Sequence, residues 1–88
     1  MIISAAQYSV DGTPVKVVSA NEVPRKVWIN CTTNENFYIG PTNTVSTTTG
    51  FFVSKSAADL NIQLDANDEL WAVTASGTHT ISVLQVTL

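Results

Sequence analysis

Residues Arg25–Gly40 read RKVWINCTTNENFYIG, and their pattern decides the fold class. Val27, Ile29 and Cys31 alternate with Trp28 and Asn30, the period of two expected of a half-buried strand. The polar run Thr32-Thr33-Asn34-Glu35-Asn36 interrupts it, and Phe37, Tyr38 and Ile39 return before Gly40-Pro41. The spacing predicts a β-hairpin with a loop of about five residues. This stretch holds the largest aromatic cluster and the single cysteine of the chain.

Towards the N-terminus, Val15–Val18 reads as a strand, with Pro14 at its start favouring an edge position. Asp11-Gly12 is a two-residue hairpin signal. Residues 1–10 carry Ile2, Ile3, Tyr8 and Val10 and read as a first strand or as an arm lying on a neighbour. Towards the C-terminus, Thr42–Gly50 is a polar run, a surface loop or a weak edge strand. Phe51-Phe52-Val53 is a strand covered on both sides or an exposed apolar tip. Lys55–Asp59 is a connection with room for one helical turn.

Leu60, Ile62 and Leu64 alternate with Asn61 and Gln63, a strand with one dry face. Asp65–Asp68 is an acidic turn, Glu69–Thr74 a strand, and Ser76-Gly77 a tight turn. The last strand, Thr78–Leu88, has Ile81 and Val83 on one face but Leu84, Val86 and Leu88 on the other. That change of face predicts a bulge, or a docking strand at 84–88 that leaves its own sheet for a neighbour.

About eight short strands with turns every ~8–12 residues make residues 1–88 one all-β domain, a small antiparallel β-sandwich or barrel. The expected core is Val17, Val27, Ile29, Ile39, Leu60, Ile62, Leu64, Leu70, Ala72, Ile81 and Val83.

The chain has 88 residues, of which 44% are hydrophobic and only 12% charged. Charge is about half the usual ~25% share, and Thr, Ser and Asn replace it. Uncharged polar surface is cheaper to bury against a partner than charged surface. With four basic residues and a net charge of −3, the chain lacks a basic stripe for nucleic acid. No apolar run reaches the ~18 residues of a membrane span, and the start MIISAAQYSV has no signal-peptide pattern. One cysteine cannot form an intrachain disulfide, and small unstapled domains often gain stability by oligomerising.

Catalytic candidates are few. Cys31 and His79 form the sole nucleophile–base combination, but Cys31 is in phase with the core and His79 sits beside a turn, where solvation is expected. Asp65, Asp68 and Glu69 are the best cation candidates, without EF-hand spacing or a facing carboxylate cluster. Asn30-Cys31-Thr32 matches a glycosylation sequon, but Asn30 is expected to bond across the sheet. We therefore expect no enzyme, metal or cofactor. Trp28, Tyr38 and Trp71 fall out of phase with the core beside them, as subunit contacts, a second buried layer, or a platform for sugar rings.

The order RKVWIN, NFYIG, a Thr/Ser/Gly loop with an aromatic exit, LNIQL and DELWAVTASGTHTISVL resembles small β-sandwich proteins of tailed-bacteriophage virions. These are capsid decoration (cement) proteins and head-fibre modules. The resemblance covers roughly Val15–Leu84. It implies a jelly-roll-like sandwich and a structural protein of the virion surface, made in the host cytoplasm. Such a protein is often a homotrimer and binds the major capsid protein, with neither nucleic acid nor membrane as partner. Contact candidates are Trp28, Tyr38, Phe51, Phe52, Trp71, Leu84, Val86 and Leu88. The alternative is a carbohydrate-binding or fibre/receptor-binding module. One departure is the acidic turn, which has no glycine before Asp68.

Overall fold

The computed structural model describes residues 2–55 and 60–88. The connection over Lys55–Asp59 lies, from Ser56 on, outside the described residues, as does Met1 of the N-terminal segment. Eight strands form: β1 (Ile3–Val10), β2 (Val15–Val18), β3 (Arg25–Cys31), β4 (Phe37–Gly40), β5 (Phe51–Val53), β6 (Leu60–Leu64), β7 (Leu70–Val73) and β8 (His79–Thr87). They make two four-stranded antiparallel sheets, one in the order β1-β8-β3-β6 and the other β2-β7-β4-β5. Among consecutive strands only β4 and β5 pair with each other; every other connection changes sheet. This is the strand order of an eight-stranded jelly roll.

The expected hairpin over Arg25–Gly40 is therefore corrected. β3 and β4 exist, but they belong to opposite sheets, and the turn at 32–36 is a corner between layers. Asp11-Gly12 and Ser76-Gly77 are corners too. Gly12 lacks the positive φ that a two-residue type I′ hairpin demands, whereas Gly77 has φ +72. Asp11 instead caps its corner, its Oδ1 accepting from Thr13 N at 2.8 Å.

The inner faces supply the core. Val17, Val27, Ile29, Ile39, Leu64, Leu70, Ala72, Ile81 and Val83 are buried as expected, and Leu60 and Ile62 pack partly buried against them. Val10, Val18, Phe37 and Val53 join the cluster. Val45 is buried outside it, in the Pro41–Gly50 connection that folds back over Gly40. A Cβ on Gly40 would lie 2.9 Å from Val45 Cβ, so glycine is what lets this loop approach.

Arg25 is the largest fully buried side chain, with 1% exposure. Its charge is met by main-chain carbonyls: Nε donates to Val23 (3.2 Å), Nη1 to Ser19 (2.5 Å), and Nη2 to Asp68 (2.8 Å) and Asp65 (3.4 Å). It thereby pins the 19–24 loop and the 65–68 turn to one end of the sandwich. Asn67 N donates to Asn21 O at 2.6 Å across the same junction. Asn67 itself takes φ 68, so asparagine occupies the left-handed position where a glycine was expected.

The last strand corrects a further expectation. β8 runs without a register break between β1 and β3, with Val86 opposite Ile3 and Lys26. Residues 84–87 stay in their own sheet, and their apolar side chains belong to its outer face. Nor is the N-terminal segment a detached arm, because Ile3–Val10 pairs with β8 along its whole length.

Candidate functional site

Strand parity sets the outer face of the β1-β8-β3-β6 sheet. Inward Val27, Ile29, Ile81 and Val83 are buried, so Lys26, Trp28 and Asn30 of β3 and Ser82, Leu84 and Val86 of β8 point out. Trp28 and Leu84 are cross-strand partners, and Leu84 is in turn opposite Ala5 of β1. Ile3, Ala5, Leu84, Val86 and Trp28 thus make an apolar stripe across three strands. Ile3 and Leu84 are 63% and 38% exposed. The stripe surrounds a shallow depression of about 250 Å³ walled by Ala5, Trp28, Asn30, Ser82, Val83 and Leu84. Lys26 Nζ lies 5.8 Å from the Trp28 ring centre and holds the indole by a cation–π contact. None of the strand residues on this face is acidic, in a chain of net charge −3.

The other predicted contact residues lie elsewhere. Trp71 and Tyr38 share the outer face of the second sheet, through the pairs Gly40–Trp71 and Tyr38–Val73. Tyr38 meets Phe52 at 5.4 Å between ring centres, tilted by 60°. Lys16 Nζ sits 5.5 Å from the Trp71 ring centre and 3.3 Å from Glu69 Oε2. Trp71 Nε1 donates to Glu69 Oε1 at 3.2 Å. These two bonds, the indole first, hold the Glu69 carboxyl below its ordinary value of 4.5. Phe51, 64% exposed, borders a second depression of about 390 Å³ that reaches Gly40, Leu64 and Glu69. Leu88 projects past the end of β8, its N donating to Pro24 O at 3.0 Å. The aromatic residues therefore do not form one platform: Trp28 and Trp71 lie on opposite outer faces.

The chemical candidates resolve as follows. Thr33 stands between Cys31 and His79, its Oγ1 3.3 Å from the thiol sulfur and 2.9 Å from His79 Nδ1. His79 Nε2 lies 3.1 Å from Ser76 O and 3.8 Å from Glu35 Oε2. His79 is thus a half-buried strut across the 32–36 and 74–78 corners, not the solvated side chain expected. The thiol and the imidazole are bridged, not in direct contact. In the acidic turn, Asp68 Oδ2 accepts from Asp65 N at 3.0 Å, and Glu69 is engaged as above. Among the described residues no group of three His, Cys, Asp or Glu side chains is placed to hold a metal ion.

Two residues central to this geometry escaped the sequence reading. Val45 sits in a polar low-complexity run, and Thr33 in a loop. A lone valine in TNTVSTTTG was the available signal for the first; none existed for the second.

No family model matches the chain, and no curated protein does. Among solved structures, it is similar to a protein described under "Bacillus endospore appendages form a novel family of disulfide-linked pili". The TM-score is 0.59 at 9% identity, over 99% of this chain and 86% of that one. It overlaps more loosely with PliG of Aeromonas hydrophila, a periplasmic inhibitor of g-type lysozyme. There the TM-score is 0.42 at 12% identity, over 99% and 85% of the two chains. The first likeness is one of fold, and the second is too loose to add to it.

Proposed function

We propose that this chain is a structural adhesion module of a bacteriophage virion, a capsid decoration protein that docks on coat subunits through the outer face of the β1-β8-β3-β6 sheet. The observation that carries the reading is the Ile3–Ala5–Leu84–Val86–Trp28 stripe. A solvent-facing sheet normally alternates dry-in and wet-out, and here five outward positions spread over three strands, Ile3, Ala5, Trp28, Leu84 and Val86, are apolar. Apart from Lys26, the polar surround on this face is uncharged and cheap to desolvate. The sequence resemblance supplies the virion context.

Magnitude decides how such a module would work. Burying about 300 Å² of apolar surface contributes roughly 7 kcal/mol, while association costs an estimated ~4–15 kcal/mol. A single copy then binds weakly. Symmetric copies on a repeating lattice add avidity without any new contact type. A symmetric oligomer, a trimer in the proteins it resembles, suits that requirement.

The test is co-sedimentation with empty tailed-phage capsid shells, the partner this reading proposes. Wild type pellets with the shells in a saturable ratio, and Leu84→Asp does not while keeping its fold. Wild type remaining in the supernatant at every concentration contradicts the reading.

One observation favours a second reading, a carbohydrate-binding module. The depression places an indole beside an amide and a hydroxyl, Trp28 with Asn30 and Ser82, which suits a sugar ring. Saturable quenching of Trp28 fluorescence by one glycan, lost in Trp28→Ala, would establish it.

A further inference from the structure

Among the described residues, the free edge of β1 is the least protected of the four sheet edges. Soluble sheets blunt their edges with short strands, charges, prolines or bulges. Three of the four edges here fit that rule to some degree. β2 carries Lys16, a register shift between Lys16 and Val18, and Pro14 before it. β5 has three residues and β6 five. β1 has eight, ISAAQYSV, with neither charge nor proline, paired to β8 without a register break. All but Tyr8 and Val10 are exposed, including inward-facing Ser4 and Ala6, where the sheet overhangs the other.

The direction of its unpaired groups follows from the ladder. Thr87 N donates to Ile2 O at 2.9 Å, so the main chain of Ile2 points at β8. Thr32 N donates to Thr80 O at 2.9 Å, which turns the even residues of β8 towards β3 and its odd residues towards β1. Both observations agree. In an antiparallel pair these directions alternate, so Ser4, Ala6, Tyr8 and Val10 bond to β8. Ile3, Ala5, Gln7 and Ser9 then aim their N–H and C=O groups outward, and β8 is the one ladder partner of β1 among the described residues.

We infer that β1 adds to β1 of a second copy, antiparallel, joining two sheets of four strands into one continuous sheet. Opposed residues in a sheet share a face, so a two-fold axis must pass through a residue, not between two. Placed at Ala6, it opposes Ala5 with Gln7 and Ile3 with Ser9, and engages all four outward residues in about eight main-chain hydrogen bonds. Ala6 then faces its own copy at the closer, non-hydrogen-bonded spacing. No charge meets another across the seam. The strand's self-complementarity favours a second copy over a foreign strand. The proteins that the sequence resembles imply a trimer; strand addition at β1 makes a dimer. Both apolar stripes would then face one way. The pairing itself does not depend on the decoration reading.

The experiment combines sedimentation equilibrium with amide hydrogen exchange on the full chain. The expected mass is twice 9.4 kDa. Amides of Ala5, Gln7 and Ser9 should exchange more slowly as concentration rises, and those of Ala6 and Tyr8 should not change. Ala5→Pro removes an outward donor without touching the β8 ladder, and should weaken the dimer at least tenfold. Gln7→Lys and Gln7→Glu, diagonal neighbours across the seam, should each weaken it. An equimolar mixture of the two should restore it, which misfolded chains could not do. A monomer at all concentrations overturns the inference, as does an oligomer indifferent to these substitutions or exchange without the odd–even contrast. These experiments read self-association and not shell binding, so co-sedimentation with shells tests the decoration reading separately.

Discussion

Arg25 Nη2 donates to the main-chain carbonyl of Asp68 at 2.8 Å, tying the start of β3 to the turn that follows β6. The same guanidinium reaches Ser19 and Val23. One buried cation thus replaces an apolar plug at this end of the sandwich, and its stability rests on carbonyl geometry alone. Arg25→Ala leaves those carbonyls unmet and should cost about 3–5 kcal/mol. Arg25→Lys keeps the charge but not the planar fork, and should recover less than half of the loss. Urea midpoints at constant m-value measure both.

The Pro41–Gly50 loop makes a contrasting pair of glycine predictions. A Cβ on Gly50 would lie 2.8 Å from Ser46 O, a main-chain atom that cannot swing away. Gly50→Ala should destabilise by about 1–3 kcal/mol. Gly12 has nothing within 4 Å and no positive φ. Gly12→Ala should be neutral or stabilising by up to ~1 kcal/mol. Thermal unfolding of the two variants checks the contrast.

Glu69 gives the chain an acid-side dependence of defined sign. Its folded pKa is depressed by the Trp71 indole and by Lys16, so its contribution is fully present above the ordinary value of 4.5 and is lost as pH falls through the lower folded value. Trp71 emission should shift over that window below pH 4.5. The Glu69→Gln variant should show no such titration.

Strand identity was legible because it is local. Val27 and Ile29, or Leu60 and Ile62, announce a period of two whatever lies beside them. Pairing was not legible. Asp11-Gly12 and the 32–36 loop signal a reversal of the chain, and the same residues serve a hairpin or a corner between layers. Leu84 and Val86 were misread for a related reason: apolar residues on both faces of β8 look like a bulge when the outer face is assumed wet. The stripe they form with Ile3 and Trp28 depends on neighbours distant in sequence. Arg25 was visible as a basic strand start, but its burial depends on carbonyls from two remote loops.

The apolar stripe should be separable from the fold. Trp28→Ala, Leu84→Asp and Ile3→Ser change outward side chains only, and each should alter stability by less than about 1 kcal/mol. Each should also reduce shell binding at least tenfold. Substitution of Phe52, on the opposite sheet, should leave binding unchanged. Parallel unfolding and co-sedimentation curves give both quantities.

The most direct test of the docking surface is the accessibility of Trp28 in a Trp71→Phe chain, where it is the one remaining tryptophan. Acrylamide quenching would be measured alone, with coat-protein shells, and with glycans. The account predicts that Trp28 is quenched in the free chain, is protected on the shells, and is unaffected by sugars. Equal quenching with and without shells, or protection by a glycan instead, would contradict it.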